Sequence, residues 1–555
     1  MISRRRRAVA AVVLAALISI VAIGLRPSPA IADSYVPVSG AGSTWSQNAI
    51  DQWRRDVQQY GMRINYAGNG SSQGRRQFLD GTVDFAASDI PFQFNPEDGS
   101  PPENPAAGSY AYMPVTAGGT VFMYNLTIGG QRVTNLRLSG ENVTKIFTGA
   151  ITKWNDPALA ADNPGLTMPD KTIVPVVRSD GSGSTAQFTA WMIAAHGDLW
   201  NAYCHTTGRS ACGQTSYYPT VGGMIAQAGD LGVAGYVAQS YADGAIGYVN
   251  YSYALNAGFP VAKVLNAAGY YTEPTAQNVA VSLLAAQINT DASSTDYLTQ
   301  KLEGVYGNPD PRTYVLSSYS YMILPTVVQG QFSESKGKTL GAFAYYAMCQ
   351  GQQESASLGY SPMPINLVQA SFDQIKKIPG VVVQDVSIQS CNNPTFSSDG
   401  TNTLAATAPQ PQDCDKQGPT QCATGTGGAA DQATDTSAGG GGGGGSSGDS
   451  GGGGDQVAAA GATSAGGTSG TGGTATVCDP DTGTCQSASG TTGKSSGTGA
   501  TGKATAAAQT LPASGGWSST QTLMFLALLA TVGVVLAPGI AQRIYGKGSS
   551  SEEAP

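Results

Sequence analysis

Three short loops rich in glycine, serine and threonine have the composition of an anion-binding site. They are residues 40–44 (GAGST), 68–72 (GNGSS) and 181–184 (GSGS). Each follows an extended segment and precedes a segment with helical character. A helix N-terminus leaves backbone N–H groups unpaired and carries partial positive charge, glycine allows close approach, and hydroxyls donate hydrogen bonds. One such loop is usually only a helix cap, but three of one design predict a site for a small oxyanion.

Two charged features bear on which anion such a site would take. Arg178 stands just before the third loop, with Asp180 two residues later. A guanidinium presents a planar set of N–H donors to a tetrahedral oxyanion, and Asp180 would hold that guanidinium in place. The alternative is that Arg178 and Asp180 form a surface ion pair. Asp89 suits an anion site only if the ligand donates a proton to it, as monohydrogen phosphate can and sulfate at neutral pH cannot. The alternative for Asp89 is a turn or cap residue before Pro91.

The composition and the missing motifs exclude several classes of function. The net charge is −8 and only 12% of residues are charged, so no general basic surface is available for nucleic acid. The two histidines, His196 and His205, lie outside every motif. The sequence has no GxSxG elbow, no Walker A loop and no cluster with metal-ligand spacing. We therefore expect a binding protein that is not an enzyme and needs no metal or cofactor.

The segments around the loops predict an α/β fold. Residues 63–67 and 120–126 alternate like half-buried strands, while Trp45, Ala49 and Trp53 recur at helical spacing. Residues 185–196 and 340–350 predict further helices. Alternating strands and helices favour ligand binding at the loops that join them.

Four separated motifs in family order resemble the PstS-type substrate-binding proteins of phosphate ABC transporters. They are GAGSTW (40–45), GNGSSQG (68–74), VDFAASD (83–89) and RSDGSGST (178–185). The resemblance implies a two-lobed type II periplasmic-binding-protein-like fold, with a hinge and a ligand cleft between the lobes. It implies that residues 33–117 and 318–395 form lobe I and that residues 118–317 form lobe II.

The same resemblance implies a set of phosphate-contacting residues. They are Thr44, the amide of Trp45, Ser71, Asp89, Arg178, Ser182, Gly183 and Ser184, with Asp180 supporting Arg178. Ser184 stands where the family commonly has threonine, and it keeps the hydroxyl. The implied function is high-affinity capture of inorganic phosphate and its delivery to the permease of an ABC-type importer. The alternative is a phosphate-binding surface sensor or adhesin that is not coupled to transport.

Both ends of the chain carry membrane signals. Residues 1–32 combine a basic start, an apolar run and a small-residue cleavage site, which predicts a secretory signal; the alternative is an uncleaved anchor. Residues 396–515 lack apolar periodicity and predict a disordered stalk. Residues 516–541 predict a transmembrane segment and 542–555 a cytoplasmic tail, which places the rest on the extracellular face. Residues 511–515 (LPASG) resemble a sortase signal, so cell-wall attachment is the alternative to a retained anchor.

The eight cysteines fit a compartment in which disulfides persist. Local spacing suggests three bonds and leaves two cysteines to form a fourth. The expected pairs are Cys204–Cys212, Cys414–Cys422, Cys478–Cys485 and Cys349–Cys391.

Overall fold

The computed structural model describes residues 35–391, 393–395 and 401–434, together with the backbone of two short strands. Those two strands, Thr476–Cys478 and Cys485–Ser487, pair antiparallel. The predicted signal sequence, transmembrane segment, cytoplasmic tail and LPASG motif all lie outside the described residues. Within the described part of the chain, no helix combines the length and apolar character needed to cross a membrane.

One mixed sheet of eight strands organises the described residues. Its strand order is β2-β1-β3-β15-β4-β10-β8-β9. The outer trios, β2-β1-β3 and β10-β8-β9, are parallel, whereas β15 and β4 run antiparallel to their neighbours. The strands are β1 (Val38–Gly42), β2 (Ile64–Gly68), β3 (Phe85–Ser88), β4 (Tyr110–Tyr124), β8 (Val174–Arg178), β9 (Ile225–Gln227), β10 (Ala245–Asn250) and β15 (Ser317–Pro325).

Short strands, thirteen α-helices and five short 3₁₀-helices complete the described part of the chain. The short strands are β5 (Thr127–Ile128), β6 (Gln131–Arg132), β7 (Arg137–Leu138), β11 (Lys263–Leu265), β12 (Tyr271–Thr272), β13 (Gln287–Ile288) and β14 (Gln300–Lys301). The helices are α1 (Gln47–Asp56), α2 (Ser71–Leu79), α3 (Gly140–Phe147), α4 (Pro157–Asp162), α5 (Gly183–Thr206), α6 (Gly229–Val237), α7 (Tyr251–Ala257), α8 (Ala276–Ser282), α9 (Glu303–Tyr306), α10 (Glu334–Met348), α11 (Ile365–Ile375), α12 (Ile388–Cys391) and α13 (Thr403–Thr407).

The predicted elements are present with shifted ends. Ala49 and Trp53 are buried in α1, as their spacing predicts, and Trp45 is buried two residues before the helix begins. The predicted helix 185–196 extends to Thr206, and its backbone leaves helical geometry at His196, with φ −143° and ψ 41°. The α/β prediction is confirmed.

The hydrophobic core forms two large clusters, which define two lobes. The first lobe packs around Trp53, Phe85 and Phe343, and the second around Phe122 and Phe188. Strands β4 and β15 contribute to the first cluster, and β4 continues into the second, so the long strand β4 connects the lobes. Residues 279–305 contribute side chains to the first cluster, although the resemblance assigns them to lobe II.

The predicted start of the stalk at residue 396 is wrong. Residues 401–434 pack against the folded chain, with Ala405 of α13 in a small cluster beside Ala280 and Val281. Farther along, the buried guanidinium of Arg137 donates hydrogen bonds to the backbone carbonyls of residues 414, 418 and 420. We call residues 401–434 the strap. It has no apolar periodicity because polar backbone contacts hold it, and sequence patterning does not detect such contacts.

Three of the four predicted disulfides are confirmed. They are Cys204–Cys212, Cys349–Cys391 and Cys414–Cys422. The Cys414–Cys422 bond closes a loop within the strap. The predicted fourth bond joins side chains that lie outside the described residues.

Candidate functional site

All three glycine-rich loops lie where a parallel strand ends and a helix begins. The first connects β1 to α1, the second β2 to α2, and the third β8 to α5. Gly70 forms the N-cap of α2 with φ +95°, a conformation that favours glycine. A Cβ at Gly70 would lie 2.6 Å from Asp180 Oδ2, so the second loop packs directly against the third. Ser182 forms the N-cap of α5 and accepts a hydrogen bond from the Thr185 N–H at 3.2 Å.

Asp89 is a buried carboxylate surrounded by hydroxyl donors. Oδ1 accepts hydrogen bonds from Ser43 Oγ at 2.7 Å and from Ser320 Oγ at 2.8 Å. Oδ2 accepts one from Ser71 Oγ at 3.2 Å. Because these donors come from the β1 loop, strand β15 and the start of α2, the carboxylate joins three separate parts of the first lobe.

The pKa of Asp89 is raised from 3.8 to about 6. Burial is the largest cause, because it disfavours the charged form. Hydrogen bonds from Ser43 and Ser320 lower the pKa, while the negative charge of Asp230 raises it. Asp89 is therefore mostly ionised at pH 7 but close to its titration range.

Asp89 also lies against the N-terminus of α5 in the second lobe. A Cβ at Gly183 would be 2.5 Å from Asp89 Oδ2 and 2.6 Å from Ser71 Oγ. The Ser72 N–H donates to the Gly181 carbonyl at 3.0 Å, and Thr215 Oγ1 donates to Asp98 Oδ2 at 2.6 Å. These contacts join residues of the two lobes, so the cleft is closed around the site.

Arg178 forms a second charged cluster in the same region. Its Nε and Nη2 donate to the two oxygens of Asp180 at 2.7 and 2.5 Å, and its Nη1 donates to Asp230 Oδ2 at 2.5 Å. Burial lowers the pKa of Arg178, but the two carboxylates outweigh it, so the pKa is raised overall. Burial likewise raises the pKa of Asp180, yet the Arg178 guanidinium holds it below its usual value. Arg178 is therefore a fixed cation at the end of β8.

The structure brings the predicted residues together as two linked groups. Ser71, Asp89 and Gly183 lie in contact, while Thr44 joins Arg178 through Asp230, which accepts from Thr44 Oγ1 at 2.6 Å. The predicted pairing of Arg178 with Asp180 is present, and it is not a surface ion pair, because Arg178 is buried and Asp180 is largely covered.

Two other predicted residues show how the site is built. The Trp45 indole is buried and donates to Thr120 Oγ1 at 3.1 Å, so any ligand contact of this residue is made by its backbone. The hydroxyl of Ser184, at the start of α5, is buried and lacks a hydrogen-bond partner. Because buried hydroxyls are normally paired, this one is suited to a ligand atom.

Several residues of the site were not predicted from the sequence. Ser320 and Asp230 lie 231 and 186 residues away from their partners Asp89 and Thr44. Neither belongs to a glycine-rich loop, and no local pattern marks them. Gln187, which donates to the Asp89 carbonyl at 2.9 Å, could have been found as a polar residue just after the first turn of α5. In the part of the chain that the structure describes, no three His, Cys, Asp or Glu side chains are grouped to hold a metal ion.

Comparison with known proteins places this fold in a defined class. A family model described as a PBP superfamily domain matches residues 27–350. The chain belongs to this superfamily.

The similarity extends to one kind of protein within that class. The phosphate-binding protein PstS of Xylella fastidiosa is 32% identical over 344 residues, which cover 62% of this chain and 86% of the relative. The phosphate-binding protein PstS of Pasteurella multocida is 31% identical over 335 residues, which cover 60% of this chain and 88% of the relative. The chain belongs to the PstS family. A solved periplasmic phosphate-binding protein, PfluDING with bound phosphate, is 19% identical with a TM-score of 0.47, covering 63% of this chain and 100% of that one.

Proposed function

We propose that this chain captures inorganic phosphate in the closed cleft and delivers it to an ABC-type importer. The contacts proposed for phosphate are made by Thr44, the Trp45 amide, Ser71, Asp89, Arg178, Ser182, Gly183 and Ser184, with Asp180 holding Arg178. The membership of the chain in the PstS family supports this ligand, because its relatives are named phosphate-binding proteins.

The observation that carries the proposal is the position of Asp89 against the α5 N-terminus. A helix N-terminus with an unpartnered buried hydroxyl at Ser184 favours an anion. A buried carboxylate in the same place repels an anion, unless the ligand offers it a proton. Protonated phosphate satisfies both requirements, since it has oxygens for the donors and a hydroxyl for Asp89. Sulfate at neutral pH satisfies only the first.

We propose further that the protein acts outside the cytoplasm as a binding protein and not as an enzyme. The names of its relatives support a binding role, and the three disulfides support an oxidising compartment. The signal sequence at residues 1–32 would export the chain, and the apolar segment at residues 516–541 would tether it to the membrane. A membrane tether keeps the head near a permease, which is compatible with delivery.

Calorimetric titration of the full chain with phosphate, in the presence and absence of excess sulfate, tests the proposal. We expect tight phosphate binding that about 1,000-fold more sulfate barely weakens, because a site built to accept a proton from its ligand can reject an analogue without that proton by on the order of 10⁴-fold. Equal affinity for the two anions would contradict the role of Asp89. No binding of phosphate would contradict the proposed function.

A further inference from the structure

Asp230 is a fully buried carboxylate at the start of α6, and its contacts assign it a specific role. Its Oδ2 accepts hydrogen bonds from Thr44 Oγ1 at 2.6 Å and from Arg178 Nη1 at 2.5 Å. Its Oδ1 accepts one from the Asn250 N–H at 2.7 Å. In return, the backbone N–H of Asp230 donates to Thr44 Oγ1 at 3.2 Å. Asp230 and Thr44 thus form a reciprocal pair across the two lobes.

This pairing determines what the Thr44 hydroxyl can offer to a ligand. A hydroxyl has one proton and two lone pairs. The proton is committed to Asp230 Oδ2, and one lone pair accepts the Asp230 N–H. The remaining lone pair can only accept a hydrogen bond. A ligand atom beside Thr44 must therefore carry a proton.

The charges around the site act in the same direction. Two carboxylates, Asp180 and Asp230, pair with Arg178, and the negative charge of Asp230 also acts on a third carboxylate, Asp89, so the three carboxylates and one guanidinium leave an excess of two negative charges when all are ionised. The nearby hydroxyls of Tyr253 and Tyr360 donate to the carbonyls of Thr44 and Trp45, and burial raises the pKa of both tyrosines, so they are neutral at pH 7. An anion with fewer charges and more protons is favoured in such a site.

We propose that Asp230 is a positioning residue that makes Thr44 a hydrogen-bond acceptor for a P–OH group of bound phosphate. The inference rests on the phosphate site proposed above. Asp89 and Thr44 then form two acceptors, and the ligand class that satisfies both is a tetrahedral monoanion with two hydroxyls, such as dihydrogen phosphate. Monohydrogen phosphate satisfies one acceptor, and sulfate satisfies none.

Two carboxylate variants of the full chain separate this role from a simple change of charge. Asp230→Asn and Asp180→Asn each remove one negative charge beside Arg178, but only Asp230 holds the Thr44 proton. Asparagine keeps only one acceptor oxygen. When that oxygen accepts the Asn250 N–H, as Oδ1 does in the wild type, the amide nitrogen faces Thr44, and the Thr44 hydroxyl can donate to the ligand. We expect Asp230→Asn to increase sulfate affinity about tenfold more than Asp180→Asn does, which corresponds to one added hydrogen bond to a charged group. Equal effects of the two variants on sulfate affinity would overturn the proposal.

Thr44→Val provides a readout that does not depend on altering a buried carboxylate. If Thr44 only accepts, its loss should weaken phosphate binding while sulfate affinity stays the same or increases. The difference between the two carboxylate variants should also disappear when Thr44→Val is combined with each of them. A tenfold loss of sulfate affinity in Thr44→Val would mean that Thr44 donates to the anion, and would overturn the proposal even if Asp230→Asn does not fold.

The wild-type chain distinguishes this inference from the proposed function. If wild type binds phosphate and Asp230→Asn and Asp180→Asn change sulfate affinity equally, only the proposed role of Asp230 is wrong. If wild type binds no phosphate in calorimetry, the proposed function and this inference fail together.

Discussion

Replacing Asp89 with asparagine should make sulfate binding both stronger and independent of pH. The wild-type carboxylate accepts three hydroxyl hydrogen bonds and faces the N-terminus of α5, where an anion would lie. When ionised, it repels sulfate, which has no proton to donate to it. When protonated, it becomes a hydrogen-bond donor to sulfate. Asparagine has an amide donor at every pH, so Asp89→Asn imitates the protonated state.

The size of the effect follows from the pKa of Asp89. With a pKa of about 6, the carboxyl is about one-tenth protonated at pH 7 and about nine-tenths protonated at pH 5. Since only the protonated form accommodates sulfate, wild-type sulfate affinity should rise about tenfold as the pH falls from 7 to 5. The sign follows from the raised pKa, because acidification adds the missing proton. Asp89→Asn should bind sulfate at pH 7 about as well as wild type does at pH 5.

Calorimetric titrations with sulfate at pH 5, 6 and 7 measure how the sulfate affinity of wild type and of Asp89→Asn changes with pH. Sulfate is the suitable probe because it does not titrate in this range, whereas phosphate does. Asp170→Asn is the matched control, since it makes the same charge change at an exposed ion pair with Lys153. It should retain the wild-type pH dependence. A wild-type sulfate affinity that does not change between pH 7 and pH 5 would refute the reasoning.

The remaining predictions concern the cleft, the cation and the strap. Gly183→Ala should weaken phosphate binding in calorimetry at least about tenfold, because the added Cβ would lie 2.5 Å from Asp89 Oδ2. Gly197→Ala in the same helix is the control: its added Cβ would have no atom within 4 Å, so this variant should bind phosphate like wild type. Arg178→Ala should weaken phosphate and sulfate alike by roughly 10–100-fold, since charge-assisted hydrogen bonds are lost; an effect on one anion only would contradict this. Arg137→Ala should lower the free energy of unfolding by about 3 kcal/mol in urea titrations, because carbonyls of the strap lose their donor. Arg55→Ala, at an exposed position of α1, should have little effect, and equal losses in the two variants would argue against the role of the strap.

The loops that form the site were predictable because their signal is local. Glycine, serine and threonine at residues 40–44, 68–72 and 181–184 determine how a chain leaves a strand and enters a helix, whatever lies around them. Arg178 and Asp180 are two residues apart, so their pairing could also be predicted. The same holds for Cys204–Cys212 and Cys414–Cys422, which close short loops.

Tertiary structure alone decided which of these groups contact one another. Ser320 meets Asp89 because β15 pairs with β3, and Asp230 meets Thr44 because the lobes close. Sequence spacing has no information on contacts across 186 or 231 residues. The strap was mistaken for stalk for a related reason: its partners, Arg137 among them, lie far away in the sequence and contact its backbone. The sequence therefore encodes the local chemistry of each loop. Whether the site requires a protonated ligand depends on which distant carboxylate each hydroxyl contacts, and only the tertiary structure decides that.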